Sequence, residues 1–315
     1  MINEPHTDNT TPIVSVVIPT YNHAHFLTKA LSSLKEQTIT NWEAIIVNNY
    51  STDNTEEVVQ SFSDERFRLI NFKNNGVIAA SRNQGIQHSR GEYVAFLDSD
   101  DYWYPNKLAR SLKLLQEGTC DLICNSEDFV ENNQKIATWH HGPDNRGTYT
   151  QLLVKGNCVS TSATIVRKSF LTQLNGFRED TRFITAEDYD LWLRLAKAGC
   201  RFKFIHEILG AHLKHANNNS GAVVKHFNAV SQVLEDHLEK LPTSSKSSVI
   251  KKACQAVITY GAARQFASQG QLSNSARFFS KSIRLNPFRM KTYVGFFLLV
   301  MKALASAPRS LYGKN

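Results

Sequence analysis

The sequence predicts an α/β protein, a mainly parallel sheet flanked by helices and followed by an all-helical C-terminal extension. Three observations predict it. Between Val14 and Leu97, β-branched apolar runs alternate with helix-period segments over short connections, the pattern of parallel strands joined by crossover helices. Clusters of polar and acidic residues stand where these runs end. From Gly221 onward strand patterns give way to long amphipathic stretches.

The elements follow in order. Val14-Ser-Val-Val-Ile-Pro19 reads as a buried strand closed by proline, and Phe26, Leu27, Ala30, Leu31 and Leu34 mark a helix after it. Residues 42–47 are a strand, 55–63 a helix, 67–72 a strand, 78–88 a helix and 93–97 a strand. After Tyr104-Pro105 come a helix to about Gln116, a strand over 121–125, a hairpin at Asn132-Asn133 and a strand over 162–167. Residues 187–198 form a helix with the stripe Leu191, Leu195 and Ala198, and 202–205 and 211–215 are short strands. Beyond 221, helices are expected over 222–240, 246–269, 272–285 and 290–306, broken at Pro242, Gly270 and Pro287. The second and third resemble one tetratricopeptide-like pair.

At 315 residues the chain suits one large core plus an appendage. Its net charge of +8 is unevenly spread: residues 221–315 carry 14 Lys/Arg against three acidic residues, leaving 22 against 25 before them. Five cysteines form no close pairs, which points away from a disulfide framework or zinc site and toward a reducing, cytoplasmic setting. Residues 1–12 have no basic or apolar signal region and read as a disordered leader. The longest apolar run, Tyr293–Met301, is about half of what a bilayer span needs.

Ligands of such sheets bind beyond the carboxyl ends of the strands. Pro19-Thr-Tyr21-Asn22, Asn48-Asn49 and Asp98-Ser99-Asp100 all lie at such ends, so one crevice should collect them. Crowded carboxylates raise each other's pKa unless a cation offsets the repulsion. Asp98 and Asp100 therefore suggest a hard divalent ion, which leaves coordination sites for a diphosphate.

Taken together, residues 13–220 resemble the family 2 glycosyltransferases of the GT-A fold, the type that builds bacterial surface polysaccharides. The resemblance rests on residues 14–22, on Ser51-Thr-Asp-Asn-Thr55, on Gly76-Val-Ile-Ala-Ala-Ser-Arg-Asn-Gln-Gly85, on Asp98-Ser-Asp-Asp101 and on Glu187-Asp-Tyr-Asp-Leu-Trp-Leu-Arg194. It implies a nucleotide-sugar-binding half over 13–102, an acceptor-binding half over 103–220 and a basic helical extension over 221–315. The reaction it implies is inverting transfer of a sugar from a nucleoside-diphosphate sugar, a UDP-sugar first of all, to a hydroxyl of a glycan or lipid-linked saccharide.

By the same resemblance, Asp100 holds Mn²⁺ or Mg²⁺ while Asp98 faces the ribose or a metal-bound water, and His215 completes the metal or diphosphate site, with His212 competing for that role. Pro19, Tyr21, Asn22, Asn48, Arg82, Asp98, Ser99 and Glu187 are expected to line the donor, with Arg82 near the diphosphate, and Lys214, next to His215, could neutralise phosphate charge. Asp188 matches the general base that takes the acceptor proton. A helix N-terminus would lower its pKa, so an apolar setting, for which Trp192 and Trp103 are candidates, is needed to keep it basic. One departure stands out: the family usually has a carboxylate where Asn48 stands, to accept the imide N–H of uracil. A carboxamide accepts that bond more weakly. The rival reading is a non-catalytic nucleotide-sugar-binding protein; a nucleotidyltransferase fits less well, because no Gly-rich triphosphate loop is present.

Residues 277–315 contain eight Lys/Arg and no acid, interleaved with Phe278, Phe279, Phe288, Tyr293, Phe296 and Phe297. Two readings stay open: a helix on an anionic membrane surface, peripheral to the inner face of the cytoplasmic membrane, or a cap burying its aromatic stripe on the core. Nucleic acid is not an expected partner, since no motif for it accompanies the charge.

Overall fold

The computed structural model describes residues 11–214, 223–240 and 245–305. In its first part β1 (Val14–Thr20), α1 (Ala24–Lys35), β2 (Trp42–Asn48), α2 (Thr55–Ser61), β3 (Phe67–Asn71), α3 (Ile78–His88) and β4 (Tyr93–Phe96) alternate as the patterning predicts. β1 lies between β2 and β4 and parallel to both, pairing Val14 with Trp42 and with Tyr93, and β2 pairs in parallel with β3. Every residue of β1, β2 and β4 is buried. That explains their continuous apolar sequence, since a strand covered on both faces has no polar side to show.

Side-chain alternation sends Val14, Val16, Ile18, Ala44 and Ile46 into one core, against Leu27, Leu31 and Leu34 of α1. α3 covers the opposite face, and Gly85 lets it approach: a Cβ there would stand 2.2 Å from Val17 Cγ1. Phe96, Phe177 and Trp192 pack edge-on to one another, with ring centroids 5.2 to 6.5 Å apart.

The second part contains β5 (Tyr102–Trp103), α4 (Lys107–Gln116), β6 (Leu122–Glu131), β7 (Gln134–Trp139), α5 (Tyr149–Lys155), β8 (Thr164–Arg167), α6 (Lys168–Gln173), α7 (Glu187–Lys197) and β9 (Phe202–Lys214). One sheet runs through both parts in the order β3-β2-β1-β4-β8-β6-β9-β5, with β7 paired to β6. It is a mixed sheet. β6 and β9 are parallel, but β8 is antiparallel to β4 and β6, and β5 and β7 pair antiparallel with β9 and β6. A strand as buried as β8 reads the same from sequence in either direction.

Two expected short strands are one. β9 continues through exposed His206 and Glu207, where its register against β6 shifts, and that polar interruption makes one strand look like two. The Asn132-Asn133 hairpin is present, both residues taking positive φ, 50° and 60°, as a tight two-residue turn requires.

The chain divides into two compact units, the sheet-bearing one and a helical one that also includes Leu153–Gly156. The helical unit consists of α8 (Val223–Glu239), α9 (Ser245–Ser268), α10 (Leu272–Leu285) and α11 (Met290–Ala305). Its small core gathers Ala263, Phe279 and Leu299, with Tyr260 and Phe296 packed against them. Ser275 and Ser282 donate to the carbonyls of Ala263 and Ala256, both at 2.8 Å, clamping α10 to α9. No helix of the described residues is long and apolar enough to cross a membrane.

Candidate active site

The parallel strands β1, β2 and β4 end at one edge, and the loops there are tied together by side chains. Asn22 adopts φ 53°, its N–H donates to Ser51 Oγ (2.9 Å), and its Oδ1 accepts from Thr52 N (2.7 Å). Asp53 accepts from Ala24 N at 3.0 Å and from the Thr55 hydroxyl at 2.5 Å. The family-like segment at 51–55 thus fixes the β1–α1 turn. Tyr21 and Tyr50 stand 52% and 59% exposed at this edge, as rings open to a ligand.

Asn48 departs from its expected place. It has no exposed surface; its Oδ1 accepts from both Ser51 N (3.1 Å) and Ser51 Oγ (2.6 Å), while its Nδ2 donates to Asn71 Oδ1 (2.8 Å). With both ends of the amide committed inside the protein, Asn48 supports the turn and does not itself face the crevice. Asn49 is half-buried and accepts from Asn74 N at 2.9 Å. Pro19 and Ser99 are buried as well, Ser99 with its hydroxyl 2.9 Å from His23 Nδ1.

Beyond β4, Asp98 and Asp100 are half-buried. Arg82, on α3, reaches Asp98 Oδ1 through Nη2 (2.8 Å) and Glu187 Oε1 through Nη1 (2.7 Å). This one buried guanidinium spans a sequence separation of 105 residues and joins the two acidic motifs. Burial alone would lower its pKa; Asp98 and Glu187 reverse that and raise it, so its charge is permanent. Arg82 Nε is buried and finds no acceptor among the described residues.

Glu187 and Asp188 open α7, whose first turn also holds Asp190. The approach is strained: Thr185, a β-branched residue, sits at φ 84°, held by a bond from its N–H to Glu187 Oε2 (2.9 Å). Asp188 Oδ1 accepts from Tyr189 N (2.7 Å), and Oδ2 lies 3.3 Å from the Thr161 hydroxyl. Burial first and the Glu187 charge second push the Asp188 carboxyl up to about 7, outweighing the Arg82 charge and the Tyr189 N–H bond. Such a carboxylate is matched to proton abstraction near neutrality. Trp192 and Trp103 are both buried, and Trp103 Nε1 donates to Ser162 O (2.8 Å).

Several contributors were not singled out from sequence. Asp101, 2% exposed, accepts from Ser162 Oγ (2.5 Å) and Leu213 N (3.0 Å) and pairs with His212 Nδ1 (3.2 Å). Burial would lower the His212 pKa, but Asp101 raises it to about 10, so this histidine is a cation at neutral pH. His215 lies outside the described residues. Lys214 pairs with Glu131 at 2.8 Å, so a phosphate would have to compete for it. Asp190 is buried between Arg178 and Arg194, and Asn83 forms a reciprocal pair of 2.8 Å bonds with the Phe177 backbone; together they seat α7 against α3. Their only sequence signal was membership of the same motifs as Asp188 and Arg82.

β6 pairs with β8 only over Leu122–Cys124, so its Ser126–Glu131 half runs on past β8 with β7 and β9 beside it. There Phe129, Trp139 and His212 stack nearly parallel, at 4.2 Å (Phe–Trp), 5.3 Å (Trp–His) and 5.6 Å (Phe–His). Were the indole between the other two rings, they would stand much farther apart than 5.6 Å; it therefore covers both from one side. Trp139 is 41% exposed, leaving an aromatic surface connected through His212, Asp101 and the Thr161-Ser162 segment to Asp188.

Residues 15–174 match the model of Glycosyl transferase family 2. The chain is 32% identical over 185 residues to the Escherichia coli UDP-Glc:alpha-D-GlcNAc-diphosphoundecaprenol beta-1,3-glucosyltransferase WfgD, covering 59% of this chain and 70% of that protein. Among solved structures, S. aureus TarS 1-349 in complex with UDP-GlcNAc superposes with a TM-score of 0.64 at 16% identity, over 94% of this chain and 93% of that one. The mannosyltransferase PcManGT from Pyrobaculum calidifontis, in complex with GDP-Man and Mn2+, gives 0.58 at 17% identity, over 94% and 88%. These structural likenesses show a shared GT-A fold. On the family match and the identity to WfgD, the chain belongs to glycosyl transferase family 2 and is a glycosyltransferase.

Proposed function

We propose that this glycosyltransferase transfers a sugar, with inversion and with a divalent metal, from a UDP-sugar to a hydroxyl of a glycan or lipid-linked saccharide. The observation that carries the reading is the Arg82 bridge, which sets the base candidate's helix one guanidinium away from the Asp98 motif. Leaving-group chemistry and proton removal belong to the two ends of one reaction coordinate. Asp188, half-buried with its pKa raised, takes the proton of the attacking hydroxyl. Direct displacement needs no protein nucleophile, and a single base on one side gives inversion.

Arg82 supplies fixed positive charge and a spare N–H beside the position the diphosphate would occupy. Asp98 and Asp100 offer hard carboxylate oxygens in a half-exposed place, and among the described residues no three His, Cys, Asp or Glu are grouped so that they could hold a metal ion by themselves. That donor set suits Mn²⁺ or Mg²⁺ completed by diphosphate and water, and does not form an all-protein cage. When bound, such an ion acts as a Lewis acid for the departing diphosphate. Tyr21, Tyr50 and Asn49 present the surface for the base and ribose, and the Trp139 wall presents one for the acceptor. WfgD's name supports both a UDP-sugar donor and a lipid-linked acceptor.

Asp188→Asn tests the assignment. Transfer should fall by about 10²- to 10⁴-fold, while calorimetry finds donor affinity unchanged. Retained transfer would remove Asp188 from the role of base.

A further inference from the structure

We infer that α11 is a membrane-surface docking helix that lies in the interface of an anionic bilayer. This does not depend on the transfer reaction. The helix is seated by one narrow stripe: Thr292 and Leu299 are buried, Phe296 is half-buried against the small helical core, and Gly295 admits Phe279, whose ring would stand 2.8 Å from an added Cβ. Opposite that stripe, between the exposed Lys291 and Lys302 on one side and Tyr293 on the other, the helix shows an open apolar face. Val294, Phe297, Leu298, Met301 and Leu304 are 50 to 66% exposed, and Phe288 and Met290, just before and at its start, are 90% and 71% exposed. Isolated exposed apolar residues need no explanation, but a continuous run along sixteen helical residues does.

Charge identifies the occupant. Residues 240–315 contain 13 Lys/Arg and not one Asp or Glu. Arg289, Lys291 and Lys302 flank the apolar face, and Arg277, Lys281 and Arg284 lie on the helix before it. An apolar face with basic flanks is the chemistry of a helix that buries its side chains at the headgroup boundary while cations meet anionic lipid. A protein partner or a second copy would not call for a segment of 76 residues without a single acid. Among the described residues no helix, this one included, is long and apolar enough to cross a bilayer. The aromatic residues of the tail are thus divided: Phe279 is buried in the helical core, while Phe288, Tyr293 and Phe297 face outward.

Vesicle co-sedimentation of the full chain tests this, with phosphatidylglycerol/phosphatidylcholine vesicles against phosphatidylcholine alone. The wild type should pellet with the anionic vesicles and release as salt rises. The variant Phe297→Ser/Leu298→Ser/Met301→Ser should lose at least tenfold in partitioning, and Lys291→Gln/Lys302→Gln should weaken binding less. All three positions are exposed, so the melting curve of the triple variant should match wild type, separating lost docking from lost fold. Three results would overturn the inference: wild type that stays in the supernatant with both vesicle types, equal binding to neutral vesicles, or binding that survives the triple variant. Concentration-dependent self-association in light scattering, abolished by the triple variant and unaccompanied by vesicle binding, would make the face an interface between copies instead.

Discussion

Asp188 and Arg82 set opposite electrostatic problems and share one solution. Burial and Glu187 hold a proton on Asp188, and the guanidinium that neutralises Glu187 and Asp98 limits how far this goes. The raised pKa means the base form is lost as pH falls through about 7. The kcat/KM profile should therefore show a rising limb near pH 7. Glu187→Gln should move that limb toward acid, since it removes a like charge and leaves Arg82 less neutralised; a limb that stays in place would mean Asp188 is not the group being read. Arg82→Met removes one partner of a buried ion pair and leaves Glu187, 6% exposed, uncompensated. The expected loss is about 3–5 kcal/mol in urea unfolding, and Arg82→Lys should recover only part of it, because an ammonium cannot span both carboxylates with a planar fork. The motifs at Arg82, Asp98 and Glu187-Asp188 were legible in sequence and the family resemblance put them at one site, but the guanidinium bridge that joins them was not legible. A contact between residues 105 apart leaves no local pattern. Asn48 failed for a related reason: a strand-end amide looks the same whether it faces solvent or, as here, supplies both ends of a buried network.

At the scale of elements, strands buried on both faces could be read directly, and those in the second part of the sheet could not. β1, β2 and β4 announce themselves by uninterrupted apolar residues. β7 is mostly exposed along its length, and β9 carries a polar break, so neither satisfies a simple period. Yet their placement beside the overhanging half of β6 builds the Trp139 wall. A ring stacked on Phe129 and His212 and 41% exposed can offer a flat apolar surface to the face of a sugar ring. Trp139→Ala should raise the acceptor KM by about five- to tenfold, the scale of one aromatic stacking contact, with donor KM and melting temperature little changed. Initial-rate measurements with each substrate varied in turn check this; a rise confined to donor KM would place the indole on the other side of the site.

For the whole molecule, the strongest departure from the family pattern concerns the donor. The end of β2 carries Asn48-Asn49 where the family resemblance leads one to expect a carboxylate; with Asn48 committed inside the protein, the half-buried Asn49, which accepts from Asn74 N, is the amide we propose for the base. A neutral acceptor weakens the bond to a uracil imide but does not remove it. In the proposed reading Arg82 faces the diphosphate and the Asp98-Asp100 pair a cation, and all three residues are present at the end of β4 and on α3. Most donor affinity should accordingly come from the diphosphate and metal, and less than usual from the base. Ligand binding to the native state stabilises it by mass action, about 2.7 kcal/mol at one hundred times Kd, so melting temperature reads donor affinity without knowledge of the acceptor. In a panel of UDP-, GDP- and dTDP-sugars, a UDP-sugar with Mn²⁺ should give the largest shift. Omitting Mn²⁺ or adding EDTA should cost more of that shift than exchanging UDP for another nucleotide. The reverse order, a base change that abolishes the shift while metal removal leaves it, would place recognition in the base pocket despite Asn49, and no shift with any UDP-sugar would refute the donor assignment.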